Sequence, residues 1–137
     1  MKSSILYRLA SALLIMFAAG HTLGFHQVEP DWHVDALATS MKSVHFDMLG
    51  TQRSFWDLFL ALGYSLGLFY LFSAILAWQL AALPTETLAR LRVTLWAFAL
   101  TYLAVLAVSC LWLFAIPIAF AGAVTLCLTA AAWRAGK

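Results

Sequence analysis

Residues 54–80 decide the fold of this chain, and they read SFWDLFLALGYSLGLFYLFSAILAWQL. The segment carries one charged side chain, Asp57, close to its N-terminal end. A helix needs about 20 mostly apolar residues to cross the hydrocarbon core of a bilayer, and this segment is long enough. Residues 54–80 are therefore predicted to form a transmembrane helix.

Three further segments, at 5–24, 93–113 and 118–133, are apolar enough to make the same prediction, the last being the shortest. Pro117 separates the final two segments and suits the first turn of a helix, so we expect these two to form an antiparallel hairpin. The sequence thus predicts an all-α, four-helix transmembrane bundle. It is expected to be a single domain, 1–137, with a long loop at 25–53.

The composition agrees with a membrane protein. Of 137 residues, 64% are hydrophobic and 10% are charged, whereas a soluble domain carries about 25% charged residues. The expected partner for most of the surface is therefore the lipid bilayer, and nothing in the sequence indicates nucleic-acid binding. The two cysteines lie in apolar segments at different predicted depths, so no disulfide is expected between them.

Basic residues set the expected orientation. Six of the eight lysines and arginines flank one predicted side of the bundle, namely Lys2, Arg8, Arg90, Arg92, Arg134 and Lys137. Five of the six acidic residues and all four histidines fall on the other side or just inside it. Loops rich in Lys and Arg stay in the cytoplasm. The termini are therefore predicted to be cytoplasmic in a bacterial inner membrane, with loop 25–53 in the periplasm.

The first segment also fits a cleaved signal peptide. Lys2 and Arg8 would form its basic region, and Ala18-Ala19-Gly20 would be the cleavage site. We expect the segment to be kept as a span. The alternative leaves the rest of the topology unchanged but makes His21 the N-terminal residue.

An apolar stripe runs through the long loop. Leu37, Met41, Val44 and Met48 recur at helical spacing. The stripe predicts a short helix that lies on the outer membrane surface or over the mouth of the bundle.

The segment 54–80 has two distinct faces when it is drawn as a helix. One carries the polar residues of its outer half, and beside it Gly63, Gly67 and Ala74 form a ridge of small residues. Gly20 and Gly24 make a similar pair on the first helix. Small residues at this spacing let two membrane helices approach closely, so all four glycines are predicted to be helix-packing positions.

His21, Arg53 and Asp57 are the candidate site residues. His21 and Asp57 should lie about one turn inside the outer ends of the first two helices. Arg53 precedes Asp57 by one turn, so the two could pair. One interpretation is an outward-facing polar pocket that binds or transforms a lipophilic substrate, with His21 as acid or base. Its expected lining is Thr22, Ser54, Tyr64 and Ser65.

The other interpretation is structural: the same residues would form a polar clasp between two helices of a non-catalytic component. This component would be a homo-oligomer or an accessory subunit of a membrane partner. The sequence leaves both interpretations, and therefore enzymatic activity, open.

A metal site is a weaker alternative. Asp31, His33 and Asp35 are closely spaced, and carboxylate with imidazole suits zinc or a similar ion. No established multi-histidine motif accompanies them, and His21 is the one histidine within a predicted span. No metal and no cofactor are therefore expected.

Two short runs and one glycine carry a resemblance to a known family: Gly20-His21-Thr22-Leu23-Gly24, Arg53-Ser54-Phe55-Trp56-Asp57 and Gly63. Over approximately residues 1–80 the chain resembles a family of small bacterial four-helix integral membrane proteins. The resemblance implies the four-helix fold and directs attention to His21, Arg53 and Asp57. It implies no particular activity.

Overall fold

The computed structural model describes residues 2–135, so Lys137, which the orientation argument uses, lies outside the described residues. The elements in chain order are α1 (Ser3–Gly24), α2 (Asp35–Ser43), β1 (His45–Met48), β2 (Thr51–Ser54), α3 (Phe55–Ala82), α4 (Thr85–Arg90), α5 (Arg92–Trp112) and α6 (Ala115–Ala135). Four of these helices, α1, α3, α5 and α6, are long and apolar enough to cross a membrane. The prediction of four such helices in an all-α chain is confirmed.

The last two long helices form the expected hairpin. Only Leu113 and Phe114 separate α5 from α6, and Pro117 lies in the first turn of α6, where its missing N–H costs no helical hydrogen bond. Trp96 near the start of α5 contacts Trp133 near the end of α6, with ring centroids 6.4 Å apart. The two helices are therefore antiparallel neighbours.

Contacts between Cα atoms divide the chain into two compact units. One contains the residues up to Phe17 and those from Tyr70 onward, and the other is Ala18–Phe69. Helices α1 and α3 contribute residues to both units. The expectation of a single domain stays a prediction.

The core of the first unit is built from small and apolar residues at heptad-like spacing. On α6 the buried side chains recur every three or four residues, at Ala121, Val124, Thr125, Leu128, Ala131, Ala132 and Ala135. In the same unit, the Ser11 hydroxyl on α1 donates a 2.8 Å hydrogen bond to the Ala74 carbonyl on α3. Alanine and serine allow the backbones of neighbouring helices to come close, a feature typical of membrane bundles.

The predicted loop helix is present but shorter than the stripe. Helix α2 ends at Ser43, and Met48 belongs to strand β1, which pairs antiparallel with β2. The turn between the strands, Leu49-Gly50, has φ of 53° and 82°. Positive φ at both turn residues is what a tight two-residue hairpin requires. The turn therefore overrides the helical spacing after Ser43, and the part of the prediction that extended the helix to Met48 is wrong.

The surface of the long helices is apolar. Large side chains such as Leu62, Phe69 and Leu126 are 72%, 68% and 73% exposed. Tryptophan lies near the ends of these helices, at Trp56 and Trp78 on α3, Trp112 on α5 and Trp133 on α6. Aromatic residues concentrate at the two interfaces of a bilayer. Both features fit helices surrounded by lipid.

Two alanines of α3 test the packing face. Ala77 is fully buried and Ala61 is exposed. Ala77→Leu should destabilise the protein by about 1–3 kcal/mol, since a buried close contact has no room for three extra carbons. Ala61→Leu should leave the melting temperature in detergent nearly unchanged. Equal melting temperatures for the two variants would contradict this assignment of faces.

Candidate functional site

His21 joins α1 to α3 through a backbone contact. Its Nε2 lies 3.0 Å from the carbonyl oxygen of Gly63. A carbonyl can only accept, so Nε2 carries the proton in this contact. The side chain is half-buried. A carbonyl oxygen has two lone pairs, and Gly63 can therefore accept this bond in addition to the one within its own helix.

Two glycines make room for this contact. Gly63 and Gly67 are both buried. A Cβ at Gly63 would overlap the ring of Phe25, and one at Gly67 would lie 2.5 Å from the Thr22 hydroxyl oxygen. The five residues His21, Thr22, Phe25, Gly63 and Gly67 are called the His21 clasp below. Any larger residue at either glycine would push the end of α1 away from α3.

Aromatic rings surround the His21 clasp. The Phe25 ring stacks on the His21 ring, with centroids 5.1 Å apart and planes 16° apart. On another side Phe25 meets Tyr64 edge-on, with centroids 5.0 Å apart. Phe25 was not singled out from the sequence, because it falls one residue beyond the predicted span. The signal that could have identified it is its helical spacing of four residues from His21.

Gly20 and Gly24 differ from the expectation of helix-packing positions. Both are exposed, and a Cβ at either would meet no atom within 4 Å. The physical reason is the rotation of α1, which turns His21, Thr22 and Phe25 toward α3. The two glycines therefore lie on another face of the helix.

Asp57 lies in the first turn of helix α3. Its Oδ2 accepts hydrogen bonds from the Ser54 backbone N–H at 2.8 Å and from the Ser54 hydroxyl at 3.0 Å. The Asp57 backbone N–H in turn donates to the Ser54 hydroxyl oxygen at 3.2 Å. This reciprocal arrangement is a capping box, and it satisfies two N–H groups at the helix start. The pattern Ser54-x-x-Asp57 is a known sequence signal for it.

Arg53 does not form the expected ion pair with Asp57. It is an exposed residue of β2 that lies opposite Phe46, and its guanidinium donates to the Gln52 carbonyl at 3.1 Å. His21 is not at the depth of Asp57 either, because it contacts Gly63. Six residues of helix separate Asp57 from Gly63, a rise of about 9 Å. The structure therefore does not bring the three candidate site residues together.

The four expected lining residues are divided between several environments. Ser54 is buried in the capping box and Thr22 is half-buried against Gly67, whereas Tyr64 and Ser65 are exposed. The polar face of α3 thus lies largely at the surface, and the ridge of small residues faces inward. Close packing at the glycines decides this rotation, since only one face of α3 can contact α1 at short range.

His26 has a buried, unsatisfied ring nitrogen. Its Nδ1 has no hydrogen-bond partner among residues 2–135. The His26 ring packs near Phe25, with centroids 5.3 Å apart, and near Tyr64, at 6.4 Å. Buried polar atoms nearly always have a partner, and those that lack one call for an explanation such as a bound polar group. Nothing in the sequence distinguishes His26 from the other loop histidines.

The residues of the metal alternative are separated along the loop. Asp31 belongs to a short 3₁₀ turn at Pro30–Trp32, His33 follows it, and Asp35 begins α2. Over the part of the chain that the structure describes, no three His, Cys, Asp or Glu side chains converge as a metal ion would require. Cys110 and Cys127 are both free thiols.

Comparison of the chain with protein-family models, with curated proteins and with solved structures gives no match. The resemblance to small bacterial four-helix membrane proteins therefore stays a prediction. The function has to be argued from the geometry of the chain itself.

The capping box and the ion pair make different predictions for Ser54 and Arg53. Ser54→Ala removes the N-cap hydroxyl and should cost about 1 kcal/mol of stability. Arg53→Gln should have little effect, since the Arg53 guanidinium is exposed and its hydrogen bond is to the carbonyl of the adjacent Gln52. Thermal unfolding in detergent, followed by circular dichroism, measures both. An Arg53→Gln variant that is less stable than Ser54→Ala would favour the ion pair over the capping box.

Proposed function

We propose that this chain is a multi-pass membrane protein in which the His21 clasp has a structural role, so that the protein is a non-catalytic membrane component. The observation that supports this is the 3.0 Å contact between His21 Nε2 and the Gly63 carbonyl. The ring nitrogen that bonds to the backbone of α3 is committed to holding two helices together. We therefore take the binding partner of His21 to be the Gly63 carbonyl of the protein itself.

The apolar environment explains why a histidine suits this role. Lipid tails are as apolar as the helices, so hydrophobic burial does not hold two membrane helices together. Close packing and interhelical hydrogen bonds supply the attraction instead. The His21 clasp combines the two, because glycine allows close approach and imidazole reaches the carbonyl that the approach makes accessible.

The loop between α1 and α3 contains a folded outer element made of α2, β1 and β2, and the His21 clasp involves the parts of α1 and α3 nearest this loop. Helix α1 ends just before this element and α3 begins just after it. Lys42 of α2 lies over the Trp56 ring, 4.4 Å from its centroid, and Phe46 of β1 packs against Phe55 at 5.0 Å. These contacts tie α2 and the hairpin to the start of α3. The element is suited to contact another subunit, either a second copy of this chain or a membrane partner.

The proposed location is a bacterial inner membrane, with the loop that contains α2 and the hairpin in the periplasm. The support is the charge asymmetry of the loops, because basic residues predominate on the side of the termini. On this topology the His21 clasp belongs to the outer half of the membrane.

A second candidate function is a site for a small lipophilic molecule with one polar group. The observation that favours it is the buried His26 Nδ1 without a partner among residues 2–135. A ligand hydroxyl or carbonyl could pair with this nitrogen, depending on the tautomer of the ring. The surrounding rings of Phe25 and Tyr64 would contact its apolar part.

Substitutions of His21 test the structural role. Glutamine can donate the same hydrogen bond to Gly63 but cannot act as an acid or base near neutral pH. His21→Gln should therefore keep the stability and the cellular function of the wild-type protein. His21→Leu loses the bond and should be less stable by about 0.6 kcal/mol, the average for an interhelical hydrogen bond in a membrane bundle. Unfolding in detergent and complementation of a deletion strain measure the two effects.

The control for this pair is Ser65→Ala, which changes an exposed residue of the same region of α3. It should behave like the wild type in both assays. A His21→Gln protein that is folded but inactive would contradict the structural role, because only the acid–base chemistry of the imidazole would have been removed.

The orientation is tested with reporter fusions. A reporter that is active only in the cytoplasm, fused after Lys137, should be active, because basic residues flank the side of the termini. A periplasm-specific reporter inserted in the Leu49-Gly50 turn should also be active, since both turn residues are exposed. Activity of the periplasmic reporter at Lys137 would show that the topology is inverted.

A further inference from the structure

A groove lies between α1 and α3 within the first unit. Its volume is about 150 Å³, and its walls are Ser11, Ile15, Leu71, Ala74, Ile75 and Trp78. Water occupies about 30 Å³ per molecule and needs polar partners. The one hydroxyl in the groove, that of Ser11, already donates to the Ala74 carbonyl. The groove is therefore suited to a hydrocarbon chain and not to water.

A positive charge lies at one end of the groove. The Arg8 guanidinium carbon is 5.7 Å from the centroid of the Trp78 ring. Arg8 is exposed, and among residues 2–135 it has no hydrogen bond or ion pair with another side chain. The stacking on Trp78 orients the guanidinium without neutralising it, so its N–H donors remain available to an anion.

Arg8 and the groove follow the same line on α1. Arg8, Ser11 and Ile15 are spaced by three and four residues and so share one helix face. The rise from Arg8 to Ile15 is about 10 Å. Arg8 is also close to the start of α1, as Trp78 is to the end of α3. Arginine near a helix end extends its charge to the membrane surface, and tryptophan prefers the same level.

We propose that this groove binds an anionic phospholipid, with the headgroup phosphate on Arg8 and part of one acyl chain between Ile15, Leu71 and Ile75. The inference rests on the membrane-spanning part of the proposed function and is independent of the role of His21. Charge complementarity identifies the occupant, because an available cation, Arg8, lies at one end of the apolar groove. A phospholipid has the same order of groups, an anionic phosphate followed by a hydrocarbon chain.

The dimensions of the groove argue against a protein helix as the occupant. A helix with its side chains is about 10 Å across, too wide to enter a groove of about 150 Å³. A single acyl chain is narrow enough to lie between two helices. A partner helix could lie over the groove but could not enter it. Arg8 would then face lipid or an acidic residue of that helix.

The test uses the full chain in lipid nanodiscs made of phosphatidylcholine with a small fraction of phosphatidylglycerol of the same acyl composition. Native mass spectrometry of the released protein measures which lipids stay bound. The wild type should retain phosphatidylglycerol in excess over its share of the nanodisc. Arg8→Gln should lower this preference about fivefold, which corresponds to the contribution of one basic side chain near an anionic membrane surface.

Two further variants make the test specific. Arg92→Gln removes an exposed arginine at the start of α5, outside the groove, and should keep the wild-type lipid preference. Ile75→Trp fills the groove and should reduce the number of retained lipids of both kinds. The first variant controls for charge and the second identifies the path of the acyl chain.

The outcomes separate this proposal from the proposed function. A protein that enters nanodiscs but retains the two lipids in proportion to their abundance overturns the lipid site and leaves the membrane assignment intact. Equal losses of preference for Arg8→Gln and Arg92→Gln also overturn it, since net charge would then be the cause. A chain that fails to enter nanodiscs overturns both proposals.

Discussion

In the membrane location proposed above, backbone hydrogen bonding in an apolar solvent is the constraint on which the rest of this structure depends. An N–H or C=O group in hydrocarbon has no water to pair with, so each one must be satisfied within the protein. The four long apolar helices meet this requirement by themselves. Among residues 2–135, strands occur only in the polar loop, where β1 and β2 form a hairpin of mostly exposed residues. The division of the chain into long helices and one structured loop follows from that difference in solvent.

Within this constraint, small residues decide how the helices meet. The buried positions of α3 recur every three or four residues and include Gly63, Gly67, Ala74 and Ala77. Lipid offers no hydrophobic drive for burying large side chains, and the gain comes from close approach of backbones. The phenylalanines of α3 are exposed, and so are most of its leucines, although Leu80 is buried. The buried Ser11 hydroxyl of α1 donates to a backbone carbonyl of α3, that of Ala74.

Polar residues near the outer ends of the helices serve the geometry of the backbone. Asp57 and Ser54 satisfy the first N–H groups of α3, and His21 reaches the Gly63 carbonyl from α1. The same contacts leave Arg53 at the surface of the hairpin. An ionisable residue in a membrane segment is often taken to indicate chemistry. Here the hydrogen bonds give these residues a structural explanation, and the unsatisfied nitrogen of His26 is the feature that still points to a ligand.

The sequence by itself determined the number of long helices, their approximate ends, the α5–α6 hairpin and the ridge of small residues on α3. These features are local: apolar length, proline position and helical spacing depend on neighbours along the chain. The capping box could also have been predicted, because Ser54 and Asp57 are close in sequence. The tertiary structure alone decided which face of each helix is turned inward and how far α1 slides along α3. A shift of less than two turns changes the partner of His21 without changing any local pattern, and for that reason His21 meets Gly63 and not Asp57.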